Sequence, residues 1–79
     1  MDINFDNLTP GEAELVKWQY RLQEDFNRAL WETIARADED NLMALSMGYP
    51  EDVKAFVSFS REEGYWKSVQ KKAGLEVGL

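Results

Sequence analysis

The stretch that decides the fold is TPGEAELVKWQYRLQEDFNRALWETIARA, residues 9–37. It opens on TPGE, where the Thr9 hydroxyl can accept from the Glu12 N–H and the Glu12 carboxylate from the Thr9 N–H. This is a capping box with proline at the first helical position. Apolar residues then recur every three or four positions, the period of an amphipathic α-helix. The pattern predicts one long helix from Thr9 to about Ala37.

One broad face of this predicted helix is apolar and the opposite face is charged. That is more apolar surface than a solvent-facing helix needs, so other segments or a partner must cover it. The apolar face holds Leu15, Trp18, Leu22, Phe26, Ala29, Leu30 and Ala37, extended by Val16 and Ile34. The charged face holds Lys17, Arg21, Glu24, Arg28, Glu32 and Arg36, in which Glu24–Arg28 and Glu32–Arg36 have the spacing of i,i+4 ion pairs.

Cap signals divide the remaining chain into shorter helices. The polar residues 38–41, DEDN, suit the N-cap and acidic first turn of a second helix, which continues over residues 42–47. Gly48 fits the left-handed position after that helix, and Pro50 then opens a third helix.

The next junction is compatible with three arrangements. Ser60 and Glu63 have capping-box spacing, which would start a fourth helix at Arg61. Gly64 could instead end the third helix, so that the fourth starts near Tyr65, or residues 50–73 could form one kinked helix. A break between residues 59 and 64 is favoured, and the pattern does not decide whether Phe59 or Ser60 faces inward.

These signals predict an all-α fold, a small single domain over residues 1–79 with three or four helices built around the long N-terminal helix. Residues 1–8 are expected to form an extended arm that lays Phe5 and Leu8 on the core, and residues 76–79 a frayed tail. The predicted core is Leu15, Trp18, Leu22, Phe26, Leu30, Ile34, Leu42, Leu45, Val53, Phe56, Val57, Trp66 and Val69.

The composition argues against catalysis. The chain has 79 residues with no cysteine and no histidine, so disulfides and the usual nucleophilic triads are excluded. A zinc or haem site would lack its commonest ligands. There is no glycine-rich phosphate loop, and the DEDN segment fails the calcium-loop pattern at three positions. We therefore expect no enzyme activity, no catalytic residue, no cofactor and no metal.

The net charge of −6 is uneven: residues 1–40 hold ten acids and four bases, and residues 41–79 hold five of each. An acidic domain binds nucleic acid poorly and is repelled by anionic membranes, so neither is expected as a direct partner. No apolar run is long enough to span a membrane, and the acidic N-terminus lacks the basic region of a signal peptide. A cytoplasmic location is expected.

Aromatic residues beside charge are the best indication of function, because tyrosine and tryptophan are enriched at binding hot spots. The first hypothesis is a protein-interaction module, alone or as a homodimer, that binds and regulates or inhibits another protein. Its candidate contact residues are Tyr20, Trp31, Tyr49, Tyr65, Glu32, Asp38, Glu39 and Asp40. The alternative is an acidic inhibitor, of the kind made by phages and mobile elements, that occupies the nucleic-acid-binding surface of a host enzyme. Its charge would come from Asp2, Asp6, Glu12, Glu14, Glu32, Asp38, Glu39 and Asp40.

Overall fold

The structure, a computed structural model, describes residues 2–77, and those residues form helices with no strand. The predicted all-α class is confirmed, but the predicted number of three or four helices is wrong, because residues 2–77 form five α-helices. The helices are α1 (Pro10–Gln19), α2 (Asp25–Arg36), α3 (Glu39–Gly48), α4 (Pro50–Arg61) and α5 (Tyr65–Lys72), preceded by a short 3₁₀ turn, Phe5–Asn7. Phe5 and Leu8 are half-buried against the core. The last two residues of the expected tail, 78 and 79, lie outside the described residues.

The prediction of one long N-terminal helix is wrong, because the chain breaks between α1 and α2. Arg21 adopts a left-handed conformation with φ 59°, a position that favours glycine. Around it, the Arg21 N–H donates to Trp18 O (3.2 Å) and the Leu22 N–H to Lys17 O (2.7 Å). The buried Gln23 side chain ties the break to α1, its Nε2 donating to the carbonyl and carboxylate oxygens of Glu14 (3.3 and 3.2 Å).

The break changes which face of α2 points inward. Leu30, Trp31 and Ile34 are buried, whereas Leu22 is 54% exposed and Phe26 is 65% exposed. The prediction that Leu22 and Phe26 belong to the core is therefore wrong. The other predicted core residues are buried or half-buried against the core: Leu15, Trp18, Leu30, Ile34, Leu42, Leu45, Val53, Phe56, Val57, Trp66 and Val69.

Phe26→Ala is expected to change the free energy of unfolding by no more than about 0.5 kcal/mol, because substitutions at exposed positions have small effects. A core phenylalanine in a continuous helix would instead cost about 3–5 kcal/mol. Leu30→Ala, one turn along the buried face, is the matched control and should cost about 2–5 kcal/mol. Urea titration measures both, and equal losses would contradict the observed break.

Several of the predicted helix ends are confirmed, including the start of α4 at Pro50, and one is wrong. The Thr9–Glu12 capping box forms with distances of 3.1 and 3.0 Å. Asp38 caps α3, its Oδ1 accepting from the Asn41 N–H (2.8 Å). The break before α5 is present, with Gly64 left-handed at φ 82°. Gly48, however, is the last helical residue of α3, and its φ is not positive.

Helix α4 lies at the centre and packs against each of the other four helices, most extensively α1. Gly11 makes the α1–α4 approach close: a Cβ on this residue would stand 2.2 Å from the carbonyl oxygen of Glu51. Only a glycine lets the two backbones come this near. The crossing fixes how the remaining helices are placed.

An aromatic cluster fills the space that the crossing encloses. The Trp18 ring lies 5.4 Å from Trp31, 5.8 Å from Phe56 and 6.0 Å from Phe59, all between centroids. Phe59 also contacts Trp66 of α5 (6.0 Å), so Phe59, and not the exposed Ser60, faces inward. These ring contacts join α1, α2, α4 and α5 into one core.

A polar cluster joins the start of α1 to the end of α5. The buried Glu12 carboxylate accepts from Lys72 Nζ (2.6 Å) as well as from the Thr9 N–H. Burial alone would raise the pKa of Glu12, but the hydrogen bonds from Lys72 and Thr9 outweigh it and lower the pKa. Burial, with the neighbouring carboxylates of Glu12 and Glu62, raises the pKa of Tyr65 to about 12.

Glu12→Gln is expected to destabilise the domain at neutral pH by about 1 kcal/mol, because the charged bond to Lys72 is lost while the amide can still serve the cap. A carboxyl whose pKa is lowered on folding stabilises above its ordinary value, here 4.5, and stops doing so as the pH falls through the folded-state pKa. The difference from wild type should therefore shrink as the pH falls below 4.5 and vanish once the pH is below the folded-state pKa. Urea titrations at pH 7 and pH 3.5 measure it, and an equal deficit at both would contradict the ionic role.

Candidate protein-contact surface

Helix α3 is the most apolar of the described helices, yet it contains no buried residue. Leu42 and Leu45 are half-buried against the core. Met43 is 69% exposed and Met47 is 85% exposed. Large apolar side chains left in water at the same helix face are typical of an interaction surface.

Helices α2 and α3 are held together at both ends and separated in between. At one end, residues 37–38 join them directly. At the other, the Phe26 and Tyr49 rings lie 6.3 Å apart. An open groove of about 470 Å³ lies between the second half of α2 and the first half of α3, lined by Thr33, Arg36, Ala37, Asn41, Ala44 and Leu45.

Exposed residues of the two helices continue this groove into one mostly apolar surface. We call it the α2–α3 surface, and it comprises Phe26, Ala29, Thr33, Met43, Ala44, Met47 and Tyr49. All of them are exposed. Phe26, Ala29 and Thr33 follow one side of α2 at i,i+3 and i,i+4 spacing. On α3, Met47 lies three residues from Ala44 and four from Met43, and Met43 marks the far edge of the surface, where it also borders α4. The Thr33 hydroxyl donates to the Ala29 carbonyl (2.9 Å), so its hydrogen-bonding need is met within α2. The surface can therefore bind an apolar side chain without leaving that hydroxyl unpaired.

Among the predicted aromatic contact residues, Trp31 is not available at the surface, so the prediction for it is wrong. It is 0% exposed, and its Nε1 donates to Asp52 Oδ1 (3.2 Å). Burial raises the pKa of Asp52, and this hydrogen bond opposes that rise. The reason is the break before α2, which turns Trp31 inward and Phe26 outward. Trp31 therefore stabilises the core and does not offer a free contact face.

The three predicted tyrosines lie apart. Tyr20 is half-buried and packs on Trp66, with ring centroids 6.2 Å apart. Tyr65 is half-buried beside Glu12 and Lys54, away from the α2–α3 surface. Only Tyr49 belongs to the α2–α3 surface. The structure thus does not bring the predicted aromatic set together in one place.

The predicted acidic residues Glu32, Asp38, Glu39 and Asp40 are all exposed. Asp40 lies one turn before Met43 and Ala44, at the edge of the α2–α3 surface. Glu39 forms an ion pair with Arg61 of α4. By contrast, Glu12 and Glu14 of the proposed acidic face are engaged with Lys72 and Lys17, and Glu12 is buried.

Sequence reasoning did not single out Phe26, Met43 and Met47 as candidate contact residues, although their side chains are exposed. A signal for the methionines was present, since they are four residues apart on a helix flanked by acids. Methionine is flexible and polarisable, and it is common on surfaces that adapt to partners. No such signal marked Phe26, because its exposure depends on the break at Arg21.

Comparison with protein-family models, curated proteins and solved structures found no match for this chain. None of the described helices is long and apolar enough to cross a membrane. Within residues 2–77, no three acidic side chains are grouped in a way that could hold a metal ion. The α2–α3 surface is therefore the feature of the described residues that bears on function.

Proposed function

We propose that the protein is an interaction module that binds another protein through the α2–α3 surface and regulates or inhibits it. The observation that carries the proposal is helix α3, which has no fully buried residue among those described and leaves Met43 and Met47 exposed. Covering Met43, Met47 and Phe26 would remove large apolar side chains from water, which favours association. The function thus rests on binding.

A second candidate function is an acidic inhibitor that covers the nucleic-acid-binding surface of a host enzyme. The exposed run Asp38, Glu39 and Asp40 at the start of α3 favours it, since such enzyme surfaces are basic. The two candidates differ in what holds the complex together. Binding through charge should weaken steeply with salt, whereas apolar binding should persist.

Site-specific photocrosslinking tests the proposal. A photoreactive phenylalanine derivative is introduced at position 47, on the α2–α3 surface, or at position 62, in the exposed loop between α4 and α5. After irradiation in the cells that make the protein, we expect a discrete adduct from position 47 and none from position 62. Mass spectrometry then identifies the crosslinked partner.

A variant of the surface and the pattern of adducts decide the outcome. Phe26→Ala, which should leave the fold intact, is expected to reduce the position-47 adduct at least several-fold. An adduct that joins two copies of this chain would assign the surface to a homodimer. Equal adducts from positions 47 and 62, or none from either, would contradict the proposal.

A further inference from the structure

We infer that the segment bound by the α2–α3 surface is a basic amphipathic helix of another protein. This inference rests on the proposed function, and it specifies the chemistry of the partner. An amphipathic helix can lay its apolar face into a groove between two helices while its charged side chains reach the rim. The charges, the length and the side chains of the groove each favour such a segment.

Acidic side chains stand at both ends of the α2–α3 surface, of which the groove is the part next to the α2–α3 turn. Asp38, Glu39 and Asp40 lie at the turn that joins α2 to α3. Glu24 and Asp25 border Phe26 at the other end, where Phe26 meets Tyr49. The nearby bases are mostly neutralised, since Arg61 pairs with Glu39 and Arg28 with Asp25 (2.7 Å). Arg36, on the groove wall, is the other base that the described groove presents.

The apolar middle of the α2–α3 surface thus has a net negative rim. Its five acids and three bases leave a local charge of −2, and the whole chain carries −6. A partner with lysine or arginine beside its apolar face would be attracted to both ends. An acidic helix with the same apolar face would be repelled at both ends.

The same charges argue against a second copy of this chain as the occupant. In a two-fold dimer the same surface meets itself. Because both ends of the surface are acidic, parallel and antiparallel pairings alike would bring carboxylates against carboxylates. Opposed like charges disfavour such a contact, and the net charge of each copy adds to the repulsion.

The dimensions suit one helix of modest length. With twelve residues, α2 is about 18 Å long, and with ten residues α3 is about 15 Å long. A partner helix of about three turns would span that distance. Ala29, Ala44 and Gly48 are small, which permits close approach of a helix backbone. Met43 and Met47 can adjust their rotamers around its side chains.

Two synthetic helical peptides test the inference on the intact protein. Both are stapled, about 14 residues long, and carry the same leucine face. One has lysine and the other glutamate at every polar position. Fluorescence anisotropy measures their affinities, and the methyl signals of Met43 and Met47 in a methionine-labelled sample report where they bind.

We expect the lysine peptide to shift both methyl signals and to bind at least about tenfold more tightly than the glutamate peptide, a difference of about 1.4 kcal/mol. The difference should shrink between about 0.1 M and about 1 M salt, over which the Debye length falls from ~10 Å to ~3 Å. The leucine contacts should retain part of the binding at high salt.

Two double variants with equal charge change serve as the test and its control. Glu24→Gln with Asp40→Asn removes one acid from each end of the surface and should weaken the lysine peptide several-fold. Glu62→Gln with Glu63→Gln removes two exposed acids from the loop after α4 and should leave it nearly unchanged. Equal weakening by both would show that only net charge matters, which would overturn the inference.

Other outcomes separate the inference from the proposed function. Equal affinity of the two peptides, with both methyl signals shifted, would overturn the basic partner and leave the contact surface in place. Binding of the lysine peptide without shifts at Met43 and Met47 would overturn the site as well. Binding of neither peptide would overturn the inference, while the photocrosslink at position 47 would still test the proposed function independently.

Discussion

Replacing Trp31 with alanine is expected to unfold the domain, or to leave it barely folded. The side chain is 0% exposed, with its ring 5.4 Å from Trp18 and 6.4 Å from Phe56. Removing a buried tryptophan costs about 3–5 kcal/mol, and small domains often have little more than about 5 kcal/mol to lose. Far-UV circular dichroism during a urea titration measures the loss.

Trp31→Phe separates packing from hydrogen bonding at the same position. The ring remains, but the donor to Asp52 Oδ1 is lost, so a smaller cost of about 1–2 kcal/mol is expected. Because that bond lowers the pKa of Asp52, its removal should raise the pKa further. Met47→Ala, at an exposed position, is the control with no expected loss. A wild-type urea midpoint for Trp31→Ala would mean that Trp31 lies at the surface.

Replacing Gly11 with alanine is expected to cost about 3 kcal/mol, although alanine is the better helix former by about 1 kcal/mol. The new Cβ would stand 2.2 Å from the carbonyl oxygen of Glu51 and 2.9 Å from its carbonyl carbon. Both are backbone atoms, so no side-chain rotation relieves the clash. Helices α1 and α4 would have to move apart, and the aromatic cluster between them would loosen.

The same substitution at Gly48 should change the free energy of unfolding in the opposite direction. A Cβ there meets nothing within 4 Å, and the residue is already helical. Gly48→Ala should therefore stabilise the domain, by up to about 0.5 kcal/mol at this helix end. Thermal unfolding of the two variants compares them directly. Similar midpoints would contradict a close α1–α4 crossing at Gly11.

The helix ends were predictable where a local hydrogen bond defines them. The Thr9–Glu12 capping box and the Asp38 cap each depend on residues within three positions, so the sequence contains the whole interaction. The same holds for the break at Gly64, which supplies a left-handed conformation. Gly48 shows that such a signal can mislead. Glycine permits a left-handed conformation, but α3 ends at Gly48 and α4 starts at Pro50, so the chain does not need that conformation here.

The break at Arg21 could not be predicted from its local sequence. No glycine or proline lies between residues 12 and 47, and the apolar period continues through Leu22 and Phe26. What favours the break lies elsewhere in the fold: the Gln23 bonds to Glu14 and the pocket for Trp31 beside Asp52. Tertiary contacts therefore outweigh the cost of a left-handed arginine.

The candidate contact surface was predictable only in part. The exposed acids Asp38, Glu39 and Asp40 and the aromatic Tyr49 do lie beside it. Trp31 was assigned to the wrong side because the helical wheel was continued across a break. The inward face of α2 is rotated by about one residue from the face that the sequence predicts. As a result Trp31, predicted at the surface, lies in the core, and Phe26, predicted in the core, lies at the surface.

The lack of buried residues in α3 has a consequence for how the molecule opens. Segments with few buried apolar contacts separate from the rest at low free-energy cost, and their amide protons exchange with solvent first. Along the chain, α3 is connected by residues 37–38 on one side and by Tyr49 on the other, and it packs mainly on α4 through side chains that are only half-buried. It can therefore lose its order as a short tethered loop while the cluster around Trp18 and Trp31 keeps its own. Binding would then slow hydrogen exchange most in α3, and the partner would complete the folding of this segment.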